Sequence, residues 1–582
     1  MRYPKLTEIA SSRQMVDTFR GYNHNLRIGD GEFFDMKNMT SAYYPVLSPR
    51  MNRGVYTKAT KPLGLIAKDA LCYVDGRDFV INEYRVDMDL NDEPKQLISM
   101  GAYVIILPDK KYINTIDLTD YGNIEASYAS DGDVTFQLCT VDGAAYEDMT
   151  VSSTEPDAPA NMALWIDTST VPHTLKQWAE SSGMWVNIAT TYIKISSAGI
   201  GATFKQYDGV TISGVLSDKL QDLNASMVIL ACDDDYIVVT GITDAVVTQT
   251  AEEGAVTVER KMPLMDFVVE SENRLWGCRY GLAANGEVVN EIYASKLGDF
   301  KNWSCFMGLA TDSYTASCGT DGQFTGAITY LGHPLFFKEN CVHKVYGNYP
   351  ANFQIQTTAC RGVQKGSDKS MAIVNEVLYY KARSAVCAYD GSLPVEISVV
   401  FGEAQYQKAV AGGHGNKYYI SMQDTASNGY HLFVYDAAKG MWHREDSLCA
   451  DAFCSCGEDL YCIEHETGKI ITMFGSGTKD AAPVPWMVET GEIGITSPDM
   501  KYISRLTMRM SMDIGAEVLI YAQYDFSEDW ELLCALRSDN LRSFSVPVMP
   551  KRCDHMRLRI EGEGMARIYS ITKTIEQGSE LS

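Results

Sequence analysis

Six stretches of this chain repeat one design, and that design constrains the fold more than any other feature. Each stretch is a short run of β-branched and aromatic residues, a polar turn, and a second such run. They are residues 71–86 (LCYVDGRDFVINEYRV), 95–117 (KQLISMGAYVIILPDKKYINTID), 326–348 (GAITYLGHPLFFKENCVHKVYGN), 371–391 (MAIVNEVLYYKARSAVCAYDG), 430–445 (YHLFVYDAAKGMWHRE) and 458–475 (EDLYCIEHETGKIITMFG). Asp-Gly, Gly-Arg, Lys-Gly and Thr-Gly pairs divide the runs, which is hairpin chemistry. A lone hairpin leaves its sheet edges open, and closing several into a ring hides them. A degenerate repeat of hairpin pairs every few tens of residues therefore reads as the blades of a β-propeller, ahead of a string of β-sandwiches.

Two regions break this rhythm. Residues 121–261 are richer in Ser, Thr, Ala, Asp and Gly and contain a Pro-rich loop at 152–162 (SSTEPDAPANM). Pro172 precedes HTLKQWAES (173–181), a favourable place for a helix to start, so a helix is expected there. Residues 185–197 (WVNIATTYIKISS) alternate like a half-buried strand. The second break is KDAAPVPWMVETG (479–491), where Pro483 and Pro485, with the later Pro498, mark a linker. Beyond it the alternating strands YISRLTMRMSM, AEVLIYAQYDF and HMRLRIEG read as a β-sandwich of about 90 residues. Its Arg505, Arg509, Arg557 and Arg559 are expected on one solvated face, with a partner-facing stripe as the other reading.

The expected architecture is all-β. Residues 1–120 form an N-terminal segment and the first blades, 121–261 an inserted mostly-β domain, 262–478 the remaining blades, and 479–582 the linker and C-terminal β-sandwich. A length of 582 residues is too great for one ordinary core of about 100–200 and suits such a multidomain chain.

Charge narrows the function. Lysine and arginine against aspartate and glutamate give 50 − 75 = −25. Sequence-independent DNA binding needs cations to displace counterions, and an anionic membrane surface needs the same. Both are disfavoured, and no basic run occurs. The 15 cysteines are scattered, mostly in apolar text such as MVILAC (227–232), and read as reduced, buried thiols. The opening MRYPKLTEIASSRQ has no apolar signal-peptide core, and no apolar run approaches the ~20 residues of a spanning helix, so cytoplasmic synthesis is expected.

Chemistry-bearing residues are sparse. His443, Cys449, Cys454, Cys456, Cys462 and His465 form the densest metal-like group. A structural zinc site wants two or more residues between paired cysteines, and Cys454 and Cys456 have one, which is also plain strand alternation. Asp233, Asp234 and Asp235 sit between MVILAC and YIVVTG, where a solvated hairpin turn accounts for them. The calcium-loop spacing is missing. Residues 130–136 (SDGDVTF) have the flavour of a sialidase Asp-box turn, but Ser and Asp are adjacent and the motif does not recur. A glycosidase needs two facing carboxylates, and 75 acids do not single out a pair. No G-x-S-x-G elbow, P-loop or H-E-x-x-H is present. The expectation is no enzyme, with no catalytic residue, cofactor or metal assigned. Trp165, Trp178 and Trp185 cluster in the inserted region, either as its core or as an exposed binding platform.

One resemblance runs through the chain. Residues 19–54 (FRGYNHNLRIGDGEFFDMKNMTSAYYPVLSPRMNRG), with their DMKNM and YPVLSPR text, resemble the start of the tail nozzle (tail tubular) proteins of short-tailed bacteriophages. Residues 272–281 (ENRLWGCRYG), 290–303 (NEIYASKLGDFKNW), 335–347 (LFFKENCVHKVYG), 359–363 (ACRGV) and 550–571 (PKRCDHMRLRIEGEGMARIYSI) are similar to later stretches of such proteins. The resemblance implies a virion structural protein of the tail. It would form a ring, a homohexamer, below the portal and its adaptor, with tail fibres or spikes docked nearby. Viral DNA would leave through the channel without specific binding, since lumenal carboxylates repel phosphates. The matching residues are structural, so no active site transfers, and the 121–261 insertion receives no role. A host-surface or glycan-binding adhesin is the second reading, and a propeller glycosidase the third.

Overall fold

A computed structural model describes residues 11–56, 58–283, 285–475, 484–496, 499–525, 527–537 and 541–577. The chain is all-β: a β-propeller with an inserted mostly-β domain and a C-terminal β-sandwich, as the hairpin text predicts. The helices among the described residues are short 3-10 turns, and none is long and apolar enough to cross a membrane.

The hairpin units become four-stranded antiparallel sheets in which each strand pairs with the next in sequence. The strands Pro62–Lys68, Ala70–Asp75, Asp78–Ile81 and Tyr84–Asp87 make one such blade. Asp75 faces Asp78 across a two-residue loop, and Gly76 takes the positive φ of +65° that the turn demands. Seven sheets of this type occur among the described residues, spanning 62–87, 96–123, 267–317, 326–359, 372–396, 406–444 and 450–472. The last has three consecutive strands and borrows its fourth, Gly54–Tyr56, from the N-terminal region: Ile471 faces Val55 and Thr472 faces Gly54.

The chain divides into two compact units. One comprises Met1–Lys95, Phe337–Val342 and Thr358–Ser582, the other Gln96–Phe336 and His343–Thr357.

In the first unit, the sandwich is not built from the C-terminal region alone. One sheet orders Ser11–Val16, Ala566–Gln577, Lys501–Met512 and Arg542–Val546. The other orders Gly21–Tyr22, Glu32–Lys37, Pro485–Thr490, Met556–Glu563, Glu517–Tyr524 and Glu531–Leu536. Strand alternation sends Leu506, Met508 and Met510 from one sheet and Ile520, Leu558 and Ile560 from the other into a shared core. Residues 11–37 thus belong to this domain because their strands complete its sheets. The expected linker is corrected too: Pro485 opens a sheet strand, while Pro483 and Pro498 lie outside the described residues. The four arginines do not share a face. Arg505 and Arg509 project from the first sheet, and Arg557 and Arg559 stand on the second, where both pair with Glu489.

In the second unit, the insertion holds three sheets. Two of them enclose a core of Val134, Phe136, Ile193, Ile195, Ile212 and Val258. The third orders Met149–Ser152, Leu164–Asp167, Thr174–Ala179 and Met184–Asn187. The helix expected at 173–181 is therefore a strand. A turn at Gly183 (φ +62°) follows within two residues of Ser181, leaving no length for a stable helix, while pairing on both sides satisfies the backbone. The expected strand at 185–197 is two, Met184–Asn187 and Tyr192–Ser196, in different sheets.

Candidate functional site

The metal-like residues do not converge. Among the described residues no group of three His, Cys, Asp or Glu side chains could hold an ion. Cys454 and Cys456 alternate along Ala450–Cys456, Cys462 lies buried on the adjacent strand, and His465 turns outward to Asp451 at 3.0 Å. His443 is sealed in the strand Met441–Arg444. Burial, then the neighbouring Lys417 charge, push its imidazole down to about 3, and its Nδ1 has no hydrogen-bond partner. No disulfide forms among the described residues. Burial raises the Cys72 and Cys454 thiols to about 12, so both are protonated and unreactive at neutral pH.

The acidic triplet is a turn. Asp233 pairs with Tyr236 across Asp234 and Asp235, and Asp235 Oδ1 accepts the Gly199 amide at 2.8 Å. The Asp-box-like text leads into Val134–Cys139 of the inserted domain, outside any blade.

The tryptophans do meet. Trp165 pairs across the small sheet with Lys176, and Trp178 with Trp185, which places all four on one face. Ring centroids lie 5.4 Å (Trp165–Trp185) and 5.5 Å (Trp178–Trp185) apart in T-shaped contacts. Lys176 sits 4.5 Å over the Trp165 ring and pairs with Asp167 at 2.8 Å; that lysine contact and the Ser169 hydroxyl hold the Asp167 carboxyl at about 2. Trp165 is only 5% exposed and donates to Ser152 O at 3.0 Å, whereas Trp178 and Trp185 are half-buried. The face is part core and part ledge. The Trp185 Nε1 has no acceptor.

Two further features of the first unit escaped sequence reasoning. The first is a recess of about 990 Å³ whose wall includes His24, Phe34, Lys381, Glu396, Phe401 and Tyr406. Lys381 is 2% exposed and donates to Ala382 O (2.5 Å) and Arg383 O (3.3 Å). Burial pushes its amine down to about 8, since no charged partner among the described residues offsets the lost hydration. Two carboxylates of the recess serve local structure: Glu396 pairs with Arg361 at 2.8 Å, and Asp424 accepts the Ser427 hydroxyl and the amides of Ala426 and Ser427, while the third, Glu403, is exposed. The second feature is a charge node. Arg50 and Arg53, from the SPRMNRG text, meet Glu445 and Asp446 at 2.8–3.4 Å, all four groups largely shielded from solvent. A pattern search looks for catalytic spacing, and neither feature has any, because each joins segments that lie hundreds of residues apart.

No protein-family model matches the chain, and no curated protein matches it. Solved structures similar to it include an exo-β-1,3-galactanase from Phanerochaete chrysosporium, at 10% identity over 53% of this chain and 94% of that one, with a TM-score of 0.22. PorZ, a surface component of the type-IX secretion system of Porphyromonas gingivalis, is 8% identical over 88% and 82%, with a TM-score of 0.24. A Trypanosoma rangeli sialidase is 8% identical over 97% and 95%, with a TM-score of 0.21. Similarity this low assigns no activity. It does correct the expectation that the chain is not an enzyme: glycoside hydrolases and a sialidase are among its structural neighbours, so a missing sequence motif is no ground for excluding catalysis, and that exclusion is withdrawn.

Proposed function

We propose that this chain is a tail nozzle subunit of a short-tailed bacteriophage, made in the host cytoplasm and built into the virion tail. Six copies form a ring below the portal-adaptor, continue the DNA exit channel and support fibres or spikes. The observation that carries this reading is the placement of the resembling N-terminal stretch. Within the first unit it supplies strands to the sandwich, sends Phe19, Tyr22, Phe33 and Met36 into the core, sets Arg50 and Arg53 against Glu445 and Asp446, and donates Gly54–Tyr56 to a blade. A segment so embedded serves shape, as a wall subunit requires. The net charge of −25 suits a bore that DNA passes without adhering. Mass photometry and negative-stain imaging of the purified protein test it: a six-membered ring with a central hole is expected, and a protein that stays monomeric at every concentration contradicts it. Tight, salt-sensitive DNA binding by the ring would contradict the bore.

The tryptophan face favours a second reading, a glycan-binding adhesin, because half-buried indoles beside Lys176 and Asn187 offer stacking and hydrogen bonding together. Quenching of tryptophan fluorescence by host-surface glycans, lost in Trp178→Ala, is its expected signature; no response across a glycan panel removes it.

A further inference from the structure

The sandwich of the first unit carries a cationic face that the nozzle reading does not itself explain. In the sheet that orders Ser11–Val16, Ala566–Gln577, Lys501–Met512 and Arg542–Val546, alternation buries Leu506 and Met508 and turns Arg505, Thr507 and Arg509 outward. Thr574 is the register partner of both Arg13 and Arg505, so those two arginines flank it on the same side of the sheet, about 10 Å apart at two strand spacings. Arg509 stands four residues beyond Arg505, across from Ser570 and Ser543.

These arginines are not occupied within the copy. Arg13, Arg505 and Arg509 are exposed, and among the described residues none of them pairs with an acid. Glu576, the one acid in the four strands, accepts the Tyr502 hydroxyl at 2.7 Å. The four strands together hold seven lysines and arginines, or 7 − 1 = +6. Adding the acids that pair with these cations, Asp30 and Asp554, and those that adjoin a strand end, Asp17 and Asp513, leaves 7 − 5 = +2 in a chain of net charge −25.

The acidity that matches this face lies in another part of the same chain. Residues 121–261 hold 20 acids against six lysines and arginines, or 6 − 20 = −14, more than half of the net charge. Asp133, Glu147, Asp233, Asp234, Glu252 and Glu253 are among the exposed ones. We infer that this sheet face is the seat on which the acidic insertion of a neighbouring copy docks. A cationic face repels its own image across a two-fold axis and attracts the insertion, so the contact is head-to-tail, the class that closes into rings. Arginine suits it, because its fork meets carboxylates bidentately. Nucleic acid is the poorer match: three free arginines neutralise few phosphates, and counterion release scales with their number. The inference rests on the ring reading and names its contact.

The test uses the full chain. Ring assembly of the wild type is compared by mass photometry with Arg505→Ala/Arg509→Ala and with Arg537→Ala, which removes another exposed arginine of the same domain, one already paired with Glu517 at 2.8 Å. About thirtyfold weaker assembly is expected for the double variant, with its melting temperature and circular dichroism kept and Arg537→Ala assembling normally. The charge-keeping Arg505→Lys/Arg509→Lys gives a second readout. A carbodiimide joins amines to touching carboxylates, and in rings mixed from isotopically light and heavy copies positions 505 and 509 should link to residues 121–261 of the other copy. A double variant that assembles like wild type, or links that fall outside 121–261, overturns the docking face and leaves the ring standing. A monomeric wild type overturns both. Links formed only to another virion protein, or DNA retention lost at unchanged assembly, assign the face to that partner and overturn self-docking.

Discussion

Arg53 Nη2 lies 2.8 Å from Glu445 Oε2, joining positions 392 residues apart. Arg50 adds a second cation and Asp446 a second anion, so the node pairs two charges of each sign in a largely desolvated setting. Removing one member leaves a shielded charge without its partner, which costs far more than an exposed pair contributes. Arg53→Met is therefore expected to destabilise the first unit by on the order of 3 kcal/mol, read as a lowered urea midpoint at unchanged m-value. Burial alone would raise the Asp446 carboxyl, but the Arg53 and Arg50 charges outweigh it and depress it. A depressed carboxyl contributes stability above its unfolded pKa and loses it as pH falls through the folded value. Arg53→Met should thus begin its acid unfolding at a higher pH than wild type; identical acid limbs would remove the node as the cause.

The blades were legible in the sequence because each is local. Residues 71–86 carry their own turn residues and alternation, and Gly76 and the pairings around it follow from neighbours within a few positions. The node, the Gly54–Tyr56 pairing with Lys469–Thr472, and the Ser11–Val16 pairing with Ala566–Gln577 are not local, and no periodicity announces which distant strands meet. The same limit explains the helix expected after Pro172. Leu175 and Trp178 have helical spacing, yet Leu175 packs into the core beside Ile166 while Lys176 and Trp178 take the other face. Of the residues flagged for chemistry, only the tryptophans come together, since three large apolar rings close in sequence have a physical reason to cluster.

His443 offers a pH test. Its folded value of about 3 lies below the unfolded value of ~6.5, so between the two the unfolded chain binds a proton that the folded chain does not. Stability then falls as pH drops below 6.5, by about 2 kcal/mol between pH 7 and pH 5. His443→Phe removes the titrating group from the same space. Its urea stability should lack this component, and equal acid losses in both proteins would assign the effect elsewhere.

The sandwich can be probed through a missing side chain. A Cβ at Gly562 would stand 2.3 Å from Trp486 Cζ2, and that indole is buried and donates to Gly564 O at 2.9 Å. Gly562→Ala should cost about 1–3 kcal/mol by overpacking. Trp486→Phe is destabilising alone but removes the atoms that clash, so the double variant should be more stable than the sum of the two losses predicts, with a coupling of at least about 0.5 kcal/mol. Strict additivity would mean the two residues do not press on each other.

Lys381 reverses the usual sign. A lysine that gains a carboxylate binds its proton more tightly on folding; this one loses water and gains only backbone carbonyls, so its folded value of about 8 lies below the unfolded ~10.4. Between those values the unfolded chain holds a proton that the folded chain has released, and stability rises with pH. The expected gain from pH 7 to pH 9 is about 1 kcal/mol. Buried thiols oppose it: Cys387, raised to about 11 chiefly by burial, loses stability once pH passes the ordinary thiol value, because only the unfolded thiol ionises there. The informative quantity is therefore the difference between wild type and Lys381→Met at pH values below the ordinary thiol range and up to pH 9, in which thiols remote from Lys381 cancel and only its neighbour Cys387 is altered by the substitution. Lys381→Met should stand above wild type at pH 7, where the wild-type chain bears the cost of a buried charge, and the gap should narrow steadily toward pH 9. A gap that stays constant with pH would mean the amine is hydrated through the recess, and the recess would then be an open, water-filled cleft whose wall carries an ordinary surface lysine.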